Sequence, residues 1–210
     1  ISVISDMESK REGLNKSVKE ILEIREGDQG QRYDYIEGIV ADLITADVEH
    51  AAAVEAALEG VTDTLVINST SSFLADKETY EKLDSRVNLL CSDKIKPFVD
   101  TCDLSNYSSV RGRVVEFVSY DSNHSSVAWH LLGKTILVDT LEDAIELSFE
   151  LGNGYRFVTS KGEVFDGSQT VSVGPVGKSS GLISRKSRLN DLEKQLAAVS
   201  VEITNIEENV

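Results

Sequence analysis

The chain has 210 residues but only two cysteines, two prolines, one methionine and one tryptophan, with aromatics at 6%. Cys91 and Cys102 are too few for a disulfide scaffold or a four-thiolate zinc site, and reduced thiols in a cytosolic protein are the expected state. No apolar run approaches the length of a membrane span, so no membrane partner is expected. The first residues show no basic, apolar and small leader pattern, and nothing in them points to secretion. Positive charge is also scarce: 21 basic against 36 acidic side chains give a net charge of -15. That balance argues against a protein that coats duplex nucleic acid, which needs clustered cations, but leaves room for a local basic patch. With 40% hydrophobic and 27% charged residues, the composition suits a folded chain with a real core.

The two ends carry heptad-like spacing. Leu189, Leu192, Leu196, Val199, Ile203, Ile206 and Val210 recur at alternating steps of three and four, the a/d seam of a coiled coil. Ile4, Met7, Arg11, Leu14, Val18 and Ile21 show the same alternation, with Arg11 as the one unsuitable residue and Gly13 beside it weakening the helix. Ile1–Glu26 and Ser184–Val210 each reach about 40 Å as helices. Helices of equal reach at the two ends of one chain can pair antiparallel. Neither seam ends in an outer cap and the chain starts at Ile1, so an excised piece of a longer coiled-coil protein is expected.

Between them lies a degenerate repeat. Gly38, Val40, Asp47 and His50 match Gly112, Val114, Asp121 and His124 at a constant offset of 74. Each half reads strand, helix, strand, helix, strand, with short β-rich runs at Thr64–Asn68 and Thr135–Asp139 and further strands at Arg86–Leu90 and Tyr155–Thr159. The second half adds Glu163–Phe165 and Thr170–Val173. This predicts two α/β lobes, lobe I over 31–100 and lobe II over 101–181, flanked by coiled-coil helices over 1–30 and 182–210.

The order of these segments resembles the hinge of SMC chromosome-organising proteins, bacterial type. The residues that carry the likeness are the Gly38–Ile44 strand, the run Glu49–Leu58, the stretches Leu131–Ala144 and Gly154–Val164, and the exit Gly181–Lys186 into a heptad helix. The resemblance implies an α+β fold of two pseudo-repeated lobes at the tip of an antiparallel coiled coil. It implies a homodimer joining two arms in a ring, accessory subunits of the parent complex as further partners, and a cytoplasmic, nucleoid-associated location. ATP and magnesium would belong to heads outside this chain, which itself would need no cofactor and no catalytic residue. The family's glycine-rich segment carries Gly-Gly pairs; here the matching region reads Asp166-Gly167-Ser168 and Val173-Gly174-Pro175-Val176-Gly177.

Gly162, Gly167, Gly174 and Gly177 are the candidate dimer-interface residues, since a strand edge without Cβ atoms approaches a partner backbone closely. Ordinary turn glycine is the competing reading for Gly162 and Gly167. Lys178, Arg185, Lys186 and Arg188, with Lys194, form the best basic cluster; together with Lys10, Arg11, Lys16 and Lys19 they would make a collar for weak, sequence-independent DNA binding. Ion pairs on a solvated helix surface explain the same residues equally well. Gly177-Lys178-Ser179 is not a phosphate loop, because the glycine required five residues upstream is Ser172. Asp47 and Asp121 read as helix N-caps, with His50 and His124 in the first turns. Tyr33, Tyr35, Phe117, Trp129, Phe149, Tyr155 and Phe157 read as core. The rival to the hinge reading is a self-contained α/β ligand-binding or enzyme domain with oligomerising helical tails; it needs a polar concave pocket.

Overall fold

The structure, a computed structural model, describes residues 4–5, 11–27, 33–152, 154–174 and 181–208. Helix α1 (Lys16–Glu26) starts at Asn15, whose side chain accepts the Ser17 N–H at 2.9 Å. Just upstream, Arg11 and Gly13 take positive φ values of 49° and 95°, which no continuous helix tolerates. This corrects the expectation of one coiled-coil helix from Ile1 to Glu26. Leu14, Val18, Ile21 and Leu22 are buried in the main core. Their spacing is the broad stripe of a helix packed on a globule, and over two or three turns that stripe imitates a heptad seam. Gly27 closes the helix, donating to Glu23 O and Ile24 O.

Lobe I continues with β1 (Ile36–Ile39), the helical turn α2 (Val40–Leu43), β2 (Thr45–Ala46), α3 (Ala51–Ala57), β3 (Leu65–Ile67), α4 (Thr70–Ala75), α5 (Lys77–Glu81) and β4 (Leu89–Cys91). Lobe II repeats the plan with β5 (Val110–Arg113), a 3-10 turn at Val114–Phe117, β6 (Val118–Ser119), α6 (Ser125–Leu132), β7 (Thr135–Val138), α7 (Leu141–Leu151) and β8 (Arg156–Thr159). It then adds β9 (Val164–Phe165) and β10 (Val171–Ser172). The sheets run β1-β3-β4 and β10-β9-β8-β7-β5. β1 meets β3 antiparallel and β3 meets β4 parallel, just as β5 meets β7 antiparallel and β7 meets β8 parallel. Each first strand is interrupted at the same place, between Ile36 and Gly38 and between Val110 and Gly112. The two glycines share φ near 148° and 146°, a bulge conformation that side chains disfavour. The strand read over Gly38–Ile44 is therefore broken by the helical turn at Val40–Leu43, and the 3-10 turn at Val114–Phe117 interrupts the matching segment of lobe II.

A ribbon not foreseen from the sequence, β2 with β6, joins the lobes. One hydrophobic core crosses the boundary as well. It gathers Leu14 just before α1, Val18 and Leu22 from α1, Val54 and Leu58 beside β3, Val114, Val127, Leu137 and Val158 from lobe II, and Leu182 and Ile183 at the start of α8 (Leu182–Glu208). The alternate residues of the lobe II strands, Ile136, Val138, Phe157 and Phe165, face the other way and pack under α7 with Ala144 and Leu147. Among the aromatics read as core, Tyr33, Tyr35 and Phe157 are buried, whereas Phe149 is 74% exposed on the outer face of α7.

Candidate functional site

Two places concentrate the expected function: the free sheet edges and the base of α8. The strand orders leave β4 at one edge of the lobe I sheet and β10 at one edge of the lobe II sheet. Among the described residues strand β10 pairs only with β9, at Val171 to Phe165 and Ser172 to Val164, and the Asp166 N–H donates to Thr170 O at 3.1 Å. By the alternation of an antiparallel ladder, this turns the Val171 backbone N–H and C=O outward. Val171 and Val173 are 43% and 66% exposed, so an unpaired edge and apolar side chains coincide.

The three candidate glycines among the described residues are not together. Gly174 follows β10 with φ 104° and open space around its Cβ position. Gly167 lies in the β9–β10 turn, which Asp166 holds by accepting the Ser168 N–H at 2.8 Å and the Thr170 N–H at 3.4 Å; these bonds depress the Asp166 pKa, led by the Ser168 hydroxyl. Gly162 is buried against lobe I of its own chain, where an added Cβ would lie 3.2 Å from Ala52 O. Its missing side chain serves a contact between the lobes. Gly177 lies outside the described residues.

At the base of α8 the cations have partners. The Lys186 ammonium donates to Ala41 O at 2.9 Å and contacts Asp42, and Arg185 Nη2 donates to Glu12 O at 2.7 Å. Arg11 pairs with Glu26, and Lys16 reaches Asp84 at 3.1 Å. Arg188 is more open, its side chain 56% exposed and 4.0 Å from Asp191. Lys178 and Lys10 lie outside the described residues.

Sequence reasoning passed over Glu55. This carboxylate is buried on α3 and accepts the Gly181 N–H at 2.7 Å and the Ser184 N–H at 2.9 Å. Burial raises its pKa, and the hydrogen bonds from Ser184 and the Ile183 backbone only partly offset that. The available signal was a lone acid in the apolar run Ala51-Ala-Ala-Val-Glu-Ala-Ala-Leu58.

The repeated histidines also have a role that the sequence did not disclose: each crosses to the other lobe. His50 stacks on Phe117 with ring centroids 4.6 Å apart, and His124 Nε2 lies 3.8 Å from Glu37. Asp121 caps the 3-10 turn Ser122–His124, accepting the Asn123 N–H at 2.8 Å, and His124 takes the cap position of α6. Asp47 does not cap α3, because His50 occupies the cap position. His50 and Phe117 line a cleft of about 410 Å³ between the lobes with Arg111 and Asp139, and that arginine is bound by the aspartate through two nitrogens. Among the described residues, no group of His, Cys, Asp and Glu is placed to hold a metal ion, and no helix is long and apolar enough to cross a membrane.

The family model for the flexible hinge domain of SMC proteins matches residues 34–148. The chromosome partition protein Smc of Rhodopirellula baltica is 30% identical over 211 residues, covering 99% of this chain, and that of Bacillus subtilis is 28% identical over 215 residues, also covering 99%. The chain spans 17% and 18% of the lengths of these two relatives. Its fold matches a crystal structure of an asymmetric dimer of the Geobacillus stearothermophilus SMC hinge domain with a TM-score of 0.83 at 25% identity, covering 99% of this chain and 83% of that one. A Pyrococcus furiosus Smc hinge domain with an extended coiled coil matches with a TM-score of 0.54 at 25% identity, covering 99% and 80%. With its duplicated lobes, free sheet edges and emerging helix, this chain belongs to the SMC flexible hinge domain family.

Proposed function

We propose that the chain dimerises through its sheet edges, β10 of one copy adding to β4 of the other, and so joins two helical arms at their tips. The observation that carries this reading is the coincidence at β10 of an outward-facing backbone edge with the exposed Val171 and Val173. Such an edge is a liability in a monomer and an asset in a strand-addition interface. The Geobacillus hinge, at 25% identity, crystallised as an asymmetric dimer, which supports dimerisation here. Two copies meeting in this way close into a two-fold ring. In the longer parent protein this would link arms that carry ATPase heads and act on chromosomes.

Sedimentation equilibrium tests the reading. The unaltered chain should sediment as a dimer, and Val171→Pro, which removes one outward N–H and is tolerated on an edge strand, should yield folded monomers. A monomeric parent chain, or a V171P dimer of unchanged affinity, would reject it.

Weak DNA contact at the base of α8 is a secondary proposal resting on the openness of Arg188. It predicts a mobility shift that disappears as salt rises and is lost in Arg188→Glu. A shift independent of salt and of this residue would dismiss it.

A further inference from the structure

Helix α8 begins at Leu182, so Gly181 sits where a side chain would normally accept the first free N–H groups of the helix. Glycine has none to offer. Glu55 supplies the acceptors from α3, on the other side of the sequence: Oε1 takes the Gly181 N–H at 2.7 Å and Oε2 takes the Ser184 N–H, three residues on, at 2.9 Å. The second bond is the one an N-cap side chain makes within its own helix. The carboxylate is 2% exposed, and a charge so deeply placed is tolerated only when its oxygens are satisfied and favourably oriented. The positive end of the α8 dipole meets both conditions.

Other ties hold α8 at its flank. Lys186 reaches Ala41 O at 2.9 Å, and the Ser187 hydroxyl donates to Ala46 O at 2.6 Å. These bonds fix side chains to the surface of lobe I, whereas Glu55 grips the backbone of the first turn and thereby the axis itself. Helix α3, which carries Glu55, is held from lobe II as well: Arg156 Nη1 donates to Ala57 O at 2.9 Å, and Gly162 rests on Ala52 and Ala56. The helix that leaves the globule after lobe II is therefore referenced to lobe I, through an element that also touches the lobe II sheet.

We propose that Glu55 is the positioning residue of the arm: by capping α8 from within lobe I, its carboxylate fixes the direction in which the helix leaves the globular part. This rests on α8 being the base of an arm and is independent of dimerisation.

The test measures a distance within one chain. Spin labels are placed at Glu59→Cys and Ala198→Cys in a Cys91→Ser, Cys102→Ser background, and labelled chain is diluted with unlabelled chain. With Glu55 present, a single narrow distance distribution is expected. Glu55→Ala should lose that narrow peak, and Glu55→Gln, which keeps one acceptor, should broaden it to a lesser degree, with Trp129 fluorescence showing that each variant is folded. A folded variant with the parent's narrow peak overturns the proposal. In the unmodified chain, slow hydrogen exchange at the Gly181 and Ser184 amides is expected, and fast exchange there overturns it whether or not the variants fold. A chain that sediments as a monomer would end the dimer reading and leave these measurements intact.

Discussion

Thr45 and Ser119 are equivalent positions of the two halves, separated by the repeat offset of 74, and they stand directly opposite each other in the β2–β6 ribbon. The Thr45 hydroxyl donates to Ser119 O at 3.3 Å. In an antiparallel pair, a position that faces its own equivalent marks a local two-fold axis, so the lobes meet about an internal pseudo-dyad. The crossed contacts of His50 with Phe117 and of His124 with Glu37 lie on the two sides of that axis. They are not chemically alike, since Glu37 on one side corresponds to Arg111 on the other.

Because the ribbon and the main core both span the boundary, the lobes should unfold together. Urea unfolding followed by fluorescence of Trp129, the one tryptophan and a lobe II residue, should coincide with the transition seen by far-ultraviolet circular dichroism. Two separated transitions would mean that the shared core does not couple the lobes.

The contrast between the two terminal helices gives a second prediction. Leu22 on α1 is buried in the shared core, and Leu22→Ala should cost about 2–5 kcal/mol of stability. Ile203, at the far end of α8, is 51% exposed, and Ile203→Ala should change stability by no more than about 0.5 kcal/mol. Urea midpoints of the two variants decide the matter: equal effects would restore α1 to a coiled coil.

How much of this was legible in the sequence depended on repetition and length. The offset that aligns Gly38 with Gly112 exposed the duplication, because both halves need the same bulge before the same helix. The start of helix α7 is written in the sequence itself, since its capping pair, Thr140 and Asp143, is local. The β2–β6 ribbon was invisible: two residues per strand carry no periodicity, and their partner lies in the other half. The misreading of α1 has a comparable cause. Leu14, Val18 and Ile21 satisfy a heptad and a core stripe equally well, and only the break at Arg11–Gly13 separates the two. Glu55 went unnoticed because its partners are backbone N–H groups more than a hundred residues away, and backbone donors leave no trace in side-chain patterns.

Gly162 links the β8–β9 turn to α3. It has φ 82°, and an added methyl group would meet Ala52 O at 3.2 Å. Gly162→Ala should therefore destabilise by more than about 1 kcal/mol, combining backbone strain with a crowded lobe contact. Gly174→Ala, at φ 104° in open space, carries the strain alone and should cost less. Thermal midpoints of the two variants give the comparison, and equal losses would remove the lobe contact from the explanation.

Asp100 provides the acid-sensitive tie of the segment between the lobes. Burial would raise its pKa, but the Tyr155 hydroxyl at 2.7 Å, the Cys102 N–H at 3.0 Å and the Arg113 guanidinium at 2.9 Å favour the carboxylate and carry the pKa below its ordinary value. A folded-state pKa below the unfolded one gives a contribution that is fully present above the unfolded value, about 3.9, and is lost as pH falls through the folded one. Stability should consequently drop on acidification below about pH 4, where Asp100 takes up its proton. Asp100→Asn leaves Arg113 without its buried counter-charge and should cost about 3–5 kcal/mol near neutral pH. The same variant should flatten the acid limb of a stability–pH curve measured by urea midpoints. An acid limb as steep in D100N as in the parent would place the pH sensitivity at other carboxylates, such as Asp166, and detach it from the Asp100–Arg113 pair.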